Sequence, residues 1–311
     1  MKSAFLPSGL LVAFAIAYVA PEAGTLLKQI GLIPWMVATI FLVNGYQTNL
    51  KELPRESVFI KATLAAGVIS LLIGPLLGAA TASLLGFGAG MTLGLVVKST
   101  VPSTLSTCIV MTQLCGGRSL WALVMTVILN IVGIFTLPFM LALTLSQSGD
   151  ISISPLPLLL TLLKLVLLPF IVGAALRTLL SLSPQSLALQ YLPSLCVIVT
   201  VWMAMSDSAE VLRQIEGADL IKIALATLII HFGLMLLCWL AAKAIQLDWS
   251  VTLALLFTGS QKTLPVAVSV LTALNQALGE ALLVCVLFHF LILFSDSLLL
   301  PKLKRPETQT G

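Results

Sequence analysis

Apolar stretches long enough to cross a membrane recur along nearly all 311 residues of this chain. A hydrocarbon core of roughly 30 Å needs on the order of 20 helical residues to span it. Between these stretches lie short polar breaks, and there are too few charges to build a water-facing surface. Charged residues make up 9% of the chain and hydrophobic residues 59%, whereas soluble domains carry about 25% charged residues. The solvent for most of this chain is therefore lipid.

Apolar runs read against their interruptions place spans near 4–20, 30–46, 57–84, 88–115, 119–146, 155–180, 187–206, 219–243, 249–274 and 278–300. The first could be read as a cleavable signal peptide ending at Ala17-Tyr18-Val19-Ala20, but a retained helix preserves the symmetry described below. Ten of the sixteen basic residues fall on the side of the N-terminus: Lys2, Lys51, Arg55, Lys61, Arg118, Arg177, Lys243, Lys302, Lys304 and Arg305. Lys28, Arg213 and Lys222 fall opposite, and Lys98, Lys164 and Lys262 lie inside spans. Because cytoplasmic loops are enriched in Lys and Arg, this asymmetry predicts an even number of spans with both termini cytoplasmic. The expected fold is an all-α polytopic membrane protein of about ten transmembrane helices, placed in the plasma (inner) membrane.

The chain also reads as two five-helix units, 1–148 and 149–311, dividing near Ser148 and therefore inverted relative to each other. Spans two and seven both end in small polar residues, and spans four and nine are both interrupted in mid-membrane. The fourth is broken at Lys98-Ser99-Thr100-Val101-Pro102-Ser103-Thr104-Leu105-Ser106-Thr107 and the ninth at Thr258-Gly259-Ser260-Gln261-Lys262-Thr263-Leu264-Pro265. Either proline alone reads as an ordinary packing kink. Freed backbone groups are tolerated in hydrocarbon only where protein, water or a solute satisfies them, so matched breaks point to one central site.

Ser103, Thr104, Ser106, Thr107, Ser260, Gln261 and Thr263 offer oxygens there, and each following half-helix starts with a partly positive end. Oxygens suit a cation, and helix starts suit an anion. Thr126 and Asn130 share a helical face on the fifth span and complete the expected pocket. Ionisable groups at membrane depth are functional candidates by default, which singles out Lys98 and above all Lys262. Neither broken segment contains a carboxylate, so the expected site bears a lysine and no acid. Lys262 is suited to stand in for a coupling cation, to carry a proton or to hold an anionic substrate. Lys164 fits a snorkelling role. His231 and His289 fit either a proton relay or hydrogen-bonded packing. The five cysteines lie in apolar stretches without CxxC spacing and read as packing residues.

At these breaks the chain resembles the bile acid:sodium symporter family, and within it the sodium/bile acid cotransporter 7-like branch. The resemblance is carried by Pro102-Ser103-Thr104-Leu105-Ser106-Thr107 leading to Gly116-Gly117, by Gly259-Ser260-Gln261-Lys262-Thr263-Leu264, and by Phe288-His289. It implies two inverted repeats arranged as a panel domain (spans 1, 2, 6 and 7) and a core domain (spans 3–5 and 8–10), with spans four and nine crossing in the core. It also implies alternating access, with sodium coupling in many members. Of the residues that hold sodium there, Thr126 and Gln261 match, while a ninth-span acid is replaced by Phe257 and a third-span Gln by Ser70.

The expected function is secondary active transport of a small organic anion, bile-acid-like or otherwise amphipathic, coupled to sodium or protons. A non-transporting regulator or sensor on the same fold is the alternative. An enzyme is not expected, because HExxH, GxSxG and closely spaced intraspan carboxylates are all absent from the sequence. No other cofactor and no confident metal site are expected. The absence of a clustered basic face with interleaved aromatics excludes nucleic acid as a partner.

Overall fold

A computed structural model describes the chain except residues 1, 49–53, 55, 106, 147–152, 181–182, 184–185, 275–278 and 305–311. The basic residues Lys51, Arg55 and Arg305, the division at Ser148 and the site residue Ser106 lie outside the described residues. Every stretch expected to span is largely helical where described, with non-helical residues at 101–105 and 261–263. The helices are α1 (Lys2–Val19), α2 (Glu22–Gln29), α3 (Leu32–Gln47), α4 (Ser57–Leu84), α5 (Ala89–Thr100), α6 (Thr107–Leu114) and α7 (Ser119–Leu145). They continue as α8 (Pro155–Leu179), α9 (Leu187–Ser206), α10 (Ala209–Gln214), α11 (Gly217–Ala244), α12 (Trp249–Ser260), α13 (Leu264–Ala273) and α14 (Gly279–Leu303).

Among the described residues, seven helices are long and apolar enough to cross a membrane, or up to eight if α1 and α2 form one bent span. That pair bends by 100°. Pro21 marks the corner: α2 turns away there, and Lys28 near its end pairs with Asp207 beyond α9. The stretches expected as the fourth and ninth spans are each made of two helical pieces, α5 with α6 and α12 with α13.

Packing divides into two sets. In one, α3 lies along α8 and α9, and α1 along α9. In the other, α5 lies between α4 and α14, while α11 packs on α12 and α14. Close approach of α3 and α8 depends on glycine, since a Cβ on Gly45 would strike the Phe170 carbonyl and one on Gly173 the Leu42 carbonyl. The most enclosed segment is Trp249–Ala273, whose apolar window is 94% buried within the protein. A segment so shielded from lipid can hold polar atoms that a lipid-facing helix cannot.

Two helices carry a π turn immediately before a proline: Val68–Ile73 before Gly74-Pro75, and Leu163–Leu167 before Leu168-Pro169. In the first, Gly74 N–H reaches back five residues to Ile69 O. The next donor in that register is Pro75, which has no N–H, so the Ser70 carbonyl is left to another partner.

Gly45→Val is expected to lower the melting temperature and the yield of monodisperse protein, by at least the roughly 1–3 kcal/mol typical of an overpacked core. Gly67, with nothing within 4 Å of its Cβ position, tolerates alanine and melts no lower than the parent. Fluorescence-detected thermal unfolding of both variants checks the contrast.

Candidate functional site

Beyond α5 the chain runs extended from Val101, and beyond α12 it runs extended from Gln261 to Thr263. The two interruptions meet. Thr263 N–H donates to the Pro102 carbonyl at 2.9 Å, joining one break directly to the other. Lys98 Nζ donates to the Lys262 carbonyl at 3.0 Å. Asn130 Nδ2 donates to the Ser103 carbonyl at 3.0 Å while also holding Thr126 O of its own helix at 2.8 Å. Each break is thus completed by groups from the opposite break or from α7.

Both intramembrane lysines at the crossing are fully buried. Lys262 Nζ donates to Ser70 O at 2.6 Å and to Ser70 Oγ at 2.9 Å, so it fills the carbonyl that Pro75 leaves open. Lys98 Nζ also stands 5.9 Å from the centre of the Phe288 ring, within cation–π range. Among the described residues, no carboxylate forms an ion pair with either ammonium. The crossing therefore holds two buried lysines that no carboxylate pairs with among the described residues.

Behind the second break lies a carboxylate that the broken segments themselves do not contain, which corrects the expectation of an acid-free site. Asp296 of α14 is fully buried. Its Oδ2 accepts from Gln261 Nε2 at 2.7 Å, and its Oδ1 faces His231 Nε2 of α11 at 2.9 Å. Gln261 Oε1 in turn accepts from Thr107 Oγ1 at 2.6 Å. The signal for Asp296 was present as an acid deep in the last apolar span, well past Glu280 at its start. Its partner sits 65 residues away on a different helix, so spacing could not connect them.

In front of the crossing lies a small, partly open cleft of about 100 Å³. Asn44 and Gln47 of α3 and Gln190 of α9 line one wall, and Thr104, Asn130, Thr263 and His289 line the other. Thr104 Oγ1 and His289 Nδ1 are buried with no hydrogen-bond partner among the described atoms. Thr104 and Thr263 also precede the half-helices α6 and α13, and Thr263 makes no side-chain cap. Free donors at a helix start and its partial positive charge suit an anion.

The expected site residues therefore separate. Thr104, Asn130 and Thr263 line the cleft. Thr107, Gln261 and Lys262 point instead into the buried network behind it. Ser260 Oγ bonds back to Leu256 O, and Thr126 Oγ1 faces Cys108 Sγ at 3.0 Å. The oxygens of Gln261 and Thr126 are thus engaged within the protein. Ser103 contributes its carbonyl, while its hydroxyl is buried without a partner among the described residues.

A family model described as the SBF-like CPA transporter family matches residues 4–305. The Oryza sativa subsp. indica protein named "Probable sodium/metabolite cotransporter BASS4, chloroplastic" is 28% identical over 96% of this chain and 75% of its own length. An Arabidopsis thaliana protein of the same name is 23% identical over 95% and 71%. These names carry the broad family, whereas the cotransporter 7-like branch appears in none of them.

Asn130→Ala would strand the Ser103 carbonyl in a buried position. A loss of about 1–3 kcal/mol is expected, read as a lower unfolding temperature in the absence of any substrate.

Proposed function

Because the chain belongs to the SBF-like CPA transporter family, we propose that it is a secondary active symporter carrying a small organic anion with an apolar body, driven by a sodium or proton gradient. The observation that carries this reading is the cleft itself. It meets two helix starts at the crossing, has two buried lysines behind it, and mixes amide and hydroxyl groups with the apolar Leu6, Ile40 and Phe41. Sodium enters through the names of the relatives.

In this reading spans 1, 2, 6 and 7 form a panel and spans 3–5 and 8–10 a core, and the cleft alternates its access as one moves against the other; the separation of α1, α3, α8 and α9 from the remaining packed helices supports it. Residues 1–148 and 149–311 are the inverted repeats of this arrangement. Leu6, Gln47 and Gln190 lie at helix ends on the side of the N-terminus, so the cleft faces that side. With both termini cytoplasmic in an inner membrane, this is an inward-open state. A regulator or sensor on the same fold would bind in the cleft without flux.

Proteoliposomes offered taurocholate and small carboxylates are expected to accumulate at least one of them only under an inward sodium or proton gradient. Uptake indifferent to both gradients would sink the coupling, and thermal stabilisation by ligand without flux would favour the sensor. Lys262→Ala is expected to abolish uptake while the protein remains monodisperse; wild-type uptake by that variant removes Lys262 from the mechanism.

A further inference from the structure

Among the described residues, α1 lies along α9 and touches the short α10, but it makes no comparable contact with α11 or α14. The space between α1 and those two helices is an apolar groove of about 490 Å³, open to the outside of the protein. Leu11 and Phe14 of α1 form one wall, Leu220 and Ala224 of α11 the second, and Phe290 and Phe294 of α14 the third. Leu11 is 62% exposed and Phe294 64%, and no ionisable side chain lines the groove.

Depth in the membrane decides what can fill it. α1 ends, and α11 and α14 begin, at the end of the bundle opposite the N-terminus, where α10 touches both α1 and α14. At about 1.5 Å per residue, Leu220 lies roughly 5 Å and Phe294 roughly 22 Å along their helices from that end. The groove therefore runs from the membrane interface to a little past the middle of a hydrocarbon core of roughly 30 Å, which is the depth of one lipid leaflet. An apolar groove at that depth takes an acyl chain in preference to water or a polar solute.

The interfacial end of the groove carries charge. Tyr18 stands one turn beyond Phe14 on the same face of α1. Arg213 of α10 donates to the Tyr18 carbonyl at 3.0 Å, and its guanidinium stands 5.6 Å from the centre of the Tyr18 ring. Arg213 is exposed, and among the described residues no carboxylate pairs with it. A guanidinium has N–H donors beyond the one spent on Tyr18, in a fork that matches a phosphate. Glu216, which directly precedes α11, is exposed and likewise without an ion pair among the described residues. The neighbouring Asp219 is held by Lys222 at 3.7 Å, and Glu210 lines the polar depression between α2 and α10. A fixed cation and a free carboxylate thus lie near the mouth of an acyl-chain groove.

We propose that this groove binds one phosphatidylethanolamine molecule, with an acyl chain between α1, α11 and α14 and the headgroup held by Arg213 and Glu216. The guanidinium takes the phosphate and the carboxylate takes the primary ammonium. A headgroup with a phosphate and no ammonium would leave Glu216 facing an anion. The lipid fills the seam where α1 lacks a helix neighbour, so a shift of α1 against α14 changes the groove and the hold on the lipid together. The site is separate from the anion cleft and does not depend on what the cleft carries.

Full-length protein in detergent micelles is given dioleoyl phosphatidylethanolamine, dioleoyl phosphatidylcholine or dioleoylglycerol in equal amounts, and native mass spectrometry counts the lipid retained on the intact chain. One phosphatidylethanolamine per chain is expected. Dioleoylglycerol, which lacks the phosphate, should be retained about tenfold less. Phosphatidylcholine, whose quaternary ammonium donates no N–H to Glu216, should also be retained less. Ala224→Trp and Leu11→Trp narrow the groove from opposite walls, and each should cut phosphatidylethanolamine retention about tenfold. Arg213→Gln should lower it to the level of dioleoylglycerol. Undiminished retention by either groove variant, once it elutes as monodisperse protein, overturns the groove as the site. Equal retention of phosphatidylethanolamine and either other lipid, or by Arg213→Gln and the parent, overturns the headgroup assignment. Lipid retention is read without transport, so its failure leaves the symporter reading standing, and absence of uptake leaves the lipid site to be decided by retention.

Discussion

Interrupting two helices in the middle of a hydrocarbon layer releases peptide groups where water cannot reach them, and the centre of this protein is organised by that constraint. Each break supplies what the other lacks. The Pro102 carbonyl takes the Thr263 N–H, and the Lys262 carbonyl takes the Lys98 ammonium. The scheme extends outward one layer, because the π turn in α4 exposes the Ser70 carbonyl that Lys262 then occupies. Removing a single participant strands a buried partner, so these residues act as a unit.

Much of this was legible in the sequence, and the reason is physical. Lipid forces long apolar runs and punishes polar interruptions, so helix positions and the breaks at Pro102 and Pro265 stand out from composition alone. Burial of Lys98 and Lys262 follows from the same rule. What the sequence did not disclose is direction. Thr107, Gln261 and Thr104 look equivalent as polar residues of broken segments, yet Thr104 faces the cleft while Thr107 and Gln261 bond to each other behind it. Backbone rotation at the breaks determines which way each side chain points, and no helical period operates there to reveal it. Asp296 was hidden for a different reason: its partners lie on α11 and the second break, a meeting that only tertiary packing creates.

The crossing consequently has two chemically distinct faces. Toward the cleft it offers helix starts, the Thr104 hydroxyl and His289 Nδ1, both without a partner among the described residues and able to bond a solute. Away from the cleft its polar atoms are largely taken up by Asp296, His231, Gln261 and Thr107. A carrier needs both kinds of surface: one that exchanges protein bonds for solute bonds, and one that holds the broken backbone together during the exchange. Gln261 and Lys262 occupy the three-residue link between α12 and α13, and their side chains reach α14 and α4 respectively. That link joins the two faces by covalent bonds, so a rearrangement of the rear network is carried along the backbone to Thr263 on the cleft wall.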